Sequence, residues 1–211
     1  MIYQLLQEFL KNTLSKTGRI CLGCFVLIGF SFSFQTEVGV LLAKAAEERT
    51  LHQVQYDPSY FSIAYPNGDV PADKGVCTDV VIRSMRGVGI DLQLLVHRDM
   101  EAHFSEYPSI WGLKKTDTNI DHRRVPNLMT YFQRKEFGLS LDTNALNYLP
   151  GDIVCWNLGS RNDFYGTTHI GIVSSKKSAS GVPLMVHNIG AGPKLENCLF
   201  DFTIIGHYRI P

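Results

Sequence analysis

Leu149-Pro150-Gly151-Asp152-Ile153-Val154-Cys155-Trp156-Asn157 is where the pattern of this chain changes. Pro150 and Gly151 make a turn, and Ile153–Asn157 has the length and composition of a buried strand. Downstream come three more apolar runs, His169–Ser174, Val182–His187 and Thr203–Ile210, with the polar turn Lys176–Gly181 between the first two. Upstream the apolar period is helical. Helices first and then a run of antiparallel strands define an α+β domain, with N-terminal helices packed on one face of an antiparallel sheet.

Three helices are expected before the turn. Val80, Val81, Met85 and Val88 share a face of a helix that starts at Cys77 and ends at Gly87 or Gly89. Asp91 is the N-cap of a second, reaching about Glu106, with Leu92, Leu95, Val96, Met100 and Phe104 on one side. Pro126 sits in the first turn of a third, ending near Lys135, with Leu128, Met129 and Phe132 inward. Asp57-Pro58 is read as the start of a further short helix carrying Tyr60, Phe61 and Ala64. The turn-rich loop Pro66-Asn67-Gly68-Asp69-Val70-Pro71 then delivers the chain to Cys77.

Composition bounds the class. The chain has 211 residues, 45% hydrophobic and 19% charged, with a formal net charge of +0. That suits one globular domain and gives no general attraction to nucleic acid. No basic stripe interleaved with aromatics is present either, so no nucleic-acid partner is expected. Residues 20–34 are uncharged and largely apolar behind Lys11, Lys16 and Arg19, the pattern of a secretory signal, and Ala43-Lys44-Ala45 resembles its cleavage site. If the apolar stretch continues through Val38–Ala43, the segment is instead retained, anchoring the protein to a membrane through residues 20–34, and a buried N-terminal helix is the third reading. The expected location is exported, periplasmic or envelope-associated. Residues 1–45 are accordingly read as signal or anchor, 46–55 as a mobile polar linker, and 56–211 as the functional domain. Outside the targeting segment three cysteines remain, Cys77, Cys155 and Cys198, so at least one thiol is free in a monomer. Cys155 and Cys198 either pair or are two small buried hydrophobes. No CxxC pair stands outside the targeting segment, so no metal site is expected.

Chemistry concentrates at Gly75-Val76-Cys77-Thr78-Asp79-Val80-Val81. A cysteine at a helix N-terminus is a candidate nucleophile, because the helix dipole and a neighbouring His⁺ both favour thiolate. His169 is the candidate general base. His169, Gly171 and Val173 share a strand face, and Gly171 leaves room for a helix to approach the imidazole. His187 is the candidate orienting group, holding one nitrogen of His169 so that the other faces the thiol. Asn188 suits that role chemically but points to the opposite strand face. Asp79 is read as stabilising the helix N-terminus, with a weaker claim to substrate. Asp121-His122-Arg123-Arg124 is either a solvated loop or a set of groups for a carboxylate-bearing ligand. Among Tyr56, Tyr60 and Tyr65 one can line the cleft, and Tyr65 is carried forward with Asp79, Asp121, His122, Arg123 and Asn188 as substrate-binding candidates.

With these residues placed, Leu149–Val154, Thr168-His169-Ile170-Gly171-Ile172-Val173 and Val186-His187-Asn188 resemble the NlpC-type, papain-like cysteine peptidase/amidase superfamily. More narrowly, residues 56–211 resemble the bacterial YijF-like family. The likeness is carried by Tyr56-Asp57-Pro58-Ser59-Tyr60, Gly68–Asp73, Gly75–Val81, Asn119–Leu128 and Gly206-His207-Tyr208. The resemblance implies a papain-like fold with Cys77 as nucleophile, His169 as base and His187 as third member, and it needs no cofactor. The chain departs from the superfamily in two places. Thr78-Asp79 stands where Ser-Gly is usual, and a long helical segment, about residues 90–147, separates Cys from His.

The function expected is therefore an exported cysteine amidase or peptidase acting on peptidoglycan stem peptides or another amide-bearing envelope substrate. Two alternatives stay open: acyl transfer or hydrolysis of a non-peptidoglycan amide or thioester, and a catalytically inactive cell-wall-binding module.

Overall fold

The computed structural model describes residues 37–159 and 168–211. It is an α+β architecture of four helices and a five-stranded antiparallel sheet, with a two-stranded parallel pair beside it. Helix α1 covers 37–49, α2 Cys77–Gly87, α3 Leu92–Ala102 and α4 Val125–Arg134. Strands β1 (Gln55–Tyr56) and β2 (Lys74–Gly75) form the parallel pair. The main sheet holds β3 (Ile153–Asn157), β4 (Thr168–Lys177), β5 (Pro183–His187), β6 (Lys194–Glu196) and β7 (Thr203–Tyr208), in the order β6-β5-β4-β3-β7.

Strand alternation divides the core in two. Ile153, Cys155, Ile170, Ile172 and Val186 face the helices, where they meet Val81, Met85, Val96, Leu128 and Phe132. Val154, Trp156, Val173 and Met185 face the other way and are covered by Tyr148, Cys198 and Leu199. His169 pairs with Trp156 and His187 with Gly171, so both imidazoles belong to this second face.

The expected elements stand close to their expected places, with four differences. Residues 45–49 are no mobile linker but the end of α1. Leu42, Ala43 and Ala46 of that helix are fully buried, and Glu47 accepts from Ser174 Oγ (2.6 Å) and Ser175 N–H (2.9 Å) on β4. Ala43-Lys44-Ala45, read as a cleavage site, lies inside this packed helix. The short helix expected from Asp57 does not form, because the Asp57 carboxylate takes the Ser59 N–H in a local turn and the chain runs on without helix. The second helix stops at Ala102 rather than Glu106, and a 3-10 turn, Phe104–Glu106, follows it. Finally, β1, β2 and β6, each two or three residues long, lacked any apolar run to announce them.

Gly151 shows why the Pro150-Gly151-Asp152 turn is built as it is. Its φ is +86°, and a Cβ there would lie 2.2 Å from the Gly39 carbonyl oxygen on α1. Asp152 then ties the turn to the last strand. Its carboxylate accepts from Leu149 N–H, both Arg209 Nε and Nη2, and the His207 ring at 2.8 Å. None of the described helices is long and apolar enough to cross a membrane. The apolar residues 20–34 lie outside the described part of the chain.

Candidate functional site

Cys77 begins α2. The parallel pairing of Tyr56 with Gly75 fixes the chain just before it, and Val76 enters the helix in extended conformation. Asp79, three residues on, accepts the Val76 N–H at 2.7 Å, which closes the first turn. The same carboxylate takes Arg123 Nε at 2.9 Å and Nη2 at 3.0 Å in a buried bidentate pair. Thr78 Oγ1 donates to the Arg123 carbonyl. Val76, Thr78 and Asp79, on either side of Cys77, are thus held in place.

The sulfur itself rests among amides. The N–H groups of Ile170, Thr78 and Cys77 all reach it. Ile170 directly follows His169, so the thiol lies against the peptide that joins them. Burial nevertheless dominates: with only 6% of the residue exposed, the thiol is pushed up to about 12, and the Asp79 charge pushes the same way. The resting state is a neutral thiol, not a thiolate.

Behind it runs a chain of three side chains. His169 Nε2 is 2.8 Å from His187 Nδ1, and His187 Nε2 is 2.8 Å from Glu196 Oε2. The bonds assign the protons. A carboxylate only accepts, so His187 Nε2–H donates to Glu196, and neutral His187 has Nδ1 as acceptor. His169 Nε2–H must therefore be the donor to His187, which leaves Nδ1 of His169 with its lone pair free for a proton. Burial depresses His169 to about 3. Burial also lowers His187, while Glu196 opposes that shift. The indole of Trp156 stacks on His169, 5.6 Å between centroids and 25° between planes. Gly171 makes the room: a Cβ there would meet the His187 Cβ at 3.1 Å and the Trp156 ring at 3.2 Å. The space expected beside Gly171 is therefore taken by these two rings and not by a helix. Among the described residues no hydrogen bond joins the Cys77 sulfur to the His169 ring, and Cys77 is buried.

The remaining candidates separate clearly. His187 engages His169, whereas Asn188 turns away and its amide donates to the Gly75 carbonyl at 3.4 Å. Arg123 is buried under α2 and held by Asp79, so neither is free for a ligand. Asp121 is buried with its carboxyl raised by desolvation. His122 is buried too and lowered to about 4 by desolvation and the Arg123 charge. Both point inward because the Asp121–Arg123 segment is a 3-10 turn packed against α2 and α4. Tyr65 packs its ring edge against His97 on α3. Tyr56, not Tyr65, is the tyrosine beside the nucleophile: it pairs with Gly75 just before α2, and burial first, then the nearby Asp79 charge, raises its phenol. Cys155 and Cys198 are unpaired, and the Cys198 sulfur lies 3.3 Å from His187 Nε2.

Glu196 is the member that the sequence concealed. It sits on a three-residue polar strand, opposite Met185 and so diagonal to His187 on the same sheet face. The signal available was a carboxylate nine residues after His187, but only the β5–β6 register gives it meaning. Among the described residues no group of three or more His, Cys, Asp or Glu is arranged to hold a metal ion.

Fold and site together define an α+β domain with a helix-borne thiol backed by a His–His–Glu chain. This chain belongs to the family described as "Domain of unknown function (DUF1287)", whose model matches residues 43–210. It is 46% identical over 175 residues to "Uncharacterized protein YijF" of Escherichia coli (strain K12), covering 83% of each chain. The match begins at residue 43, inside α1, which agrees with that helix being part of the domain. No solved structure matches.

Proposed function

We propose that this protein is a cysteine amidase or peptidase of the NlpC type, with Cys77 as nucleophile, His169 as base and His187 as orienting residue. The observation that carries the reading is the Glu196–His187–His169 chain, which leaves an unprotonated imidazole nitrogen on the residue that precedes Ile170, the thiol's own neighbour. Such a chain has a purpose only if a proton is to move.

Because both partners are neutral at rest, the base acts as substrate binds. His169 Nδ1 takes the Cys77 proton as sulfur attacks the amide carbonyl carbon. The C=O π pair moves onto oxygen, and the Cys77 N–H helps to hold that oxyanion. The oxyanion collapses, the C–N bond breaks, and the amine leaves with the proton from His169. Water, deprotonated by His169, then opens the thioester to give the acid and restore the thiol. The superfamily resemblance gives the substrate class: stem peptides of peptidoglycan in the cell envelope, reached by export.

The test is release of a new amine and acid from peptidoglycan fragments, followed by mass. Cys77→Ala should abolish it; release by that variant at the parent's rate overturns the mechanism. One observation favours a second reading, a binding module with an idle site: the thiol is buried and raised rather than activated. Retention on peptidoglycan by both parent and Cys77→Ala, with turnover by neither, would select that reading.

A further inference from the structure

The Asp121–Arg124 segment parts company with itself after Arg123. Arg123 is fully engaged under α2, but the Arg124 guanidinium, with five N–H donors, makes no hydrogen bond to any described residue. Its Nη1 is buried without a hydrogen-bond partner, and the nearest carboxylate oxygen, Asp121 Oδ1, stands off at 3.7 Å. The face of the guanidinium lies 4.1 Å from the Trp111 ring centroid. Trp111 is presented by a tight turn, in which Gly112 N–H donates to the Ser109 carbonyl and Gly112 adopts φ +64°.

Arg124 and Trp111 line a cavity of about 140 Å³, whose other walls are mainly apolar, among them Met100, Phe104, Pro108 and Leu113. A mostly apolar hollow with one cationic fork at its wall is the usual form of a small-ligand site. A planar guanidinium already stacked on an indole is pre-oriented for a planar, bidentate acceptor, which is a carboxylate. Asp121 does not fill that role, because one of its oxygens is held by the Asp117 N–H and the other is beyond hydrogen-bond reach of Arg124. We infer that this cavity binds a small carboxylate carrying a branched apolar group, of the size and chemistry of an amino-acid or peptide C-terminus, with Arg124 gripping the carboxylate and Trp111 covering it.

The inference is independent of the hydrolase reading, since Cys77 does not line the cavity. Its test uses the two tryptophans of the chain. Trp156 is fully buried while Trp111 is 37% exposed, so a solute that enters the cavity perturbs Trp111 fluorescence. The full chain is titrated with isovalerate and, separately, with isovaleramide, which has the same shape and no charge, at constant ionic strength. Saturable change with isovalerate, at least tenfold weaker with isovaleramide, is expected. Arg124→Gln should weaken isovalerate at least tenfold, and Trp111→Phe should remove the signal. Arg124→Gln also withdraws the charge nearest Asp121, so a second variant keeps the charge. Ser105→Phe fills the cavity with Arg124 intact and should block isovalerate equally. Equal response to acid and amide, no saturation, or unchanged affinity in both Arg124→Gln and Ser105→Phe overturns the assignment.

Discussion

Glu196 orients His169 without touching the reacting atoms, and that makes its contribution measurable. Removing the carboxylate frees His187 to donate from Nδ1, after which His169 loses the acceptor that fixes its own tautomer. Glu196→Ala should therefore lower kcat by about 10- to 100-fold with KM little changed, as loss of such an outer partner does elsewhere. Glu196→Gln keeps an acceptor oxygen and should recover most of the loss. A purely structural role would give equal losses for both variants, or a rise in KM instead. The thiol gives a second residue-scale prediction. A shift from 9.0 to about 12 leaves on the order of 10³-fold less thiolate at any pH below the ordinary value. With Cys155 and Cys198 replaced by Ser, Cys77 should alkylate far more slowly than a free thiol at pH 8, and its rate should keep rising past pH 9. A plateau below pH 8 would reveal a thiolate–imidazolium pair that this arrangement lacks. Cys77, His169 and His187 were legible because their residue types are rare and each adjoins an apolar run of clear period. Glu196 was not, because an ordinary Glu gains meaning only from the pairing between β5 and β6, and Tyr56 stood only as one of three tyrosines until the pairing between β1 and β2 singled it out.

At the scale of the element, α2 is held by an ion pair that lies between sequence neighbours 44 residues apart. Asp79 and Arg123 are 4% and 2% exposed at their side chains, so each depends on the other to be charged there. Asp79→Ala leaves a buried guanidinium unpaired and opens the Val76 cap at once; a loss of about 3–5 kcal/mol is expected from urea unfolding. Arg123→Met added to Asp79→Leu should return much of that stability, because well-packed apolar residues replace both charges. A loss under ~1 kcal/mol for Asp79→Ala would mean that water reaches the pair and the site floor is loose. The elements themselves were largely readable. Ile153–Asn157 and the α4 start at Val125-Pro126 stand where strand length and helical proline put them. Asp91 caps α3 by accepting the Gln93 N–H. Apart from the helix lost to the local Asp57–Ser59 turn, two of the failures come from tertiary contact overriding local polarity. Residues 45–49 read as linker because Glu and Arg crowd them, yet Gly39 lets α1 lie against the Gly151 turn while Ala43 and Ala46 are fully buried. Asp121 and His122 read as either a solvated loop or ligand-binding groups, and the 3-10 turn folds them inward against the helices.

Across the whole molecule, the buried histidines make stability depend on pH in a definable window. His122 is lowered to about 4 and His169 to about 3, each by burial first, with the Arg123 charge adding to the shift at His122. The unfolded chain binds their protons near 6.5, so above that pH neither state is protonated and the full stability is present. As pH falls from 6.5 toward 4, the unfolded state takes up protons that the folded state refuses, and stability drops by about 1.4 kcal/mol per pH unit for each group at most. Asp99, held near 2 by Lys135, Arg134 and Tyr107 against the cost of burial, extends the loss below pH 4. Asp121 works the other way, since its raised carboxyl gains a proton in the folded state first. The urea midpoint should therefore be flat from pH 8 to about 7 and fall steadily between 6.5 and 4.5. His122→Asn should flatten part of that slope without affecting amide release, because the charges around His122 are those of Arg123, Asp91, Arg86 and Asp69 and the thiol's contacts do not include it. His169→Asn should flatten the slope and abolish release together. A midpoint that stays constant from pH 6.5 to 4.5 would mean that both imidazoles accept protons within the fold. The base of the proposed reaction would then be charged at rest, and the ion-pair form of the site would replace the neutral one.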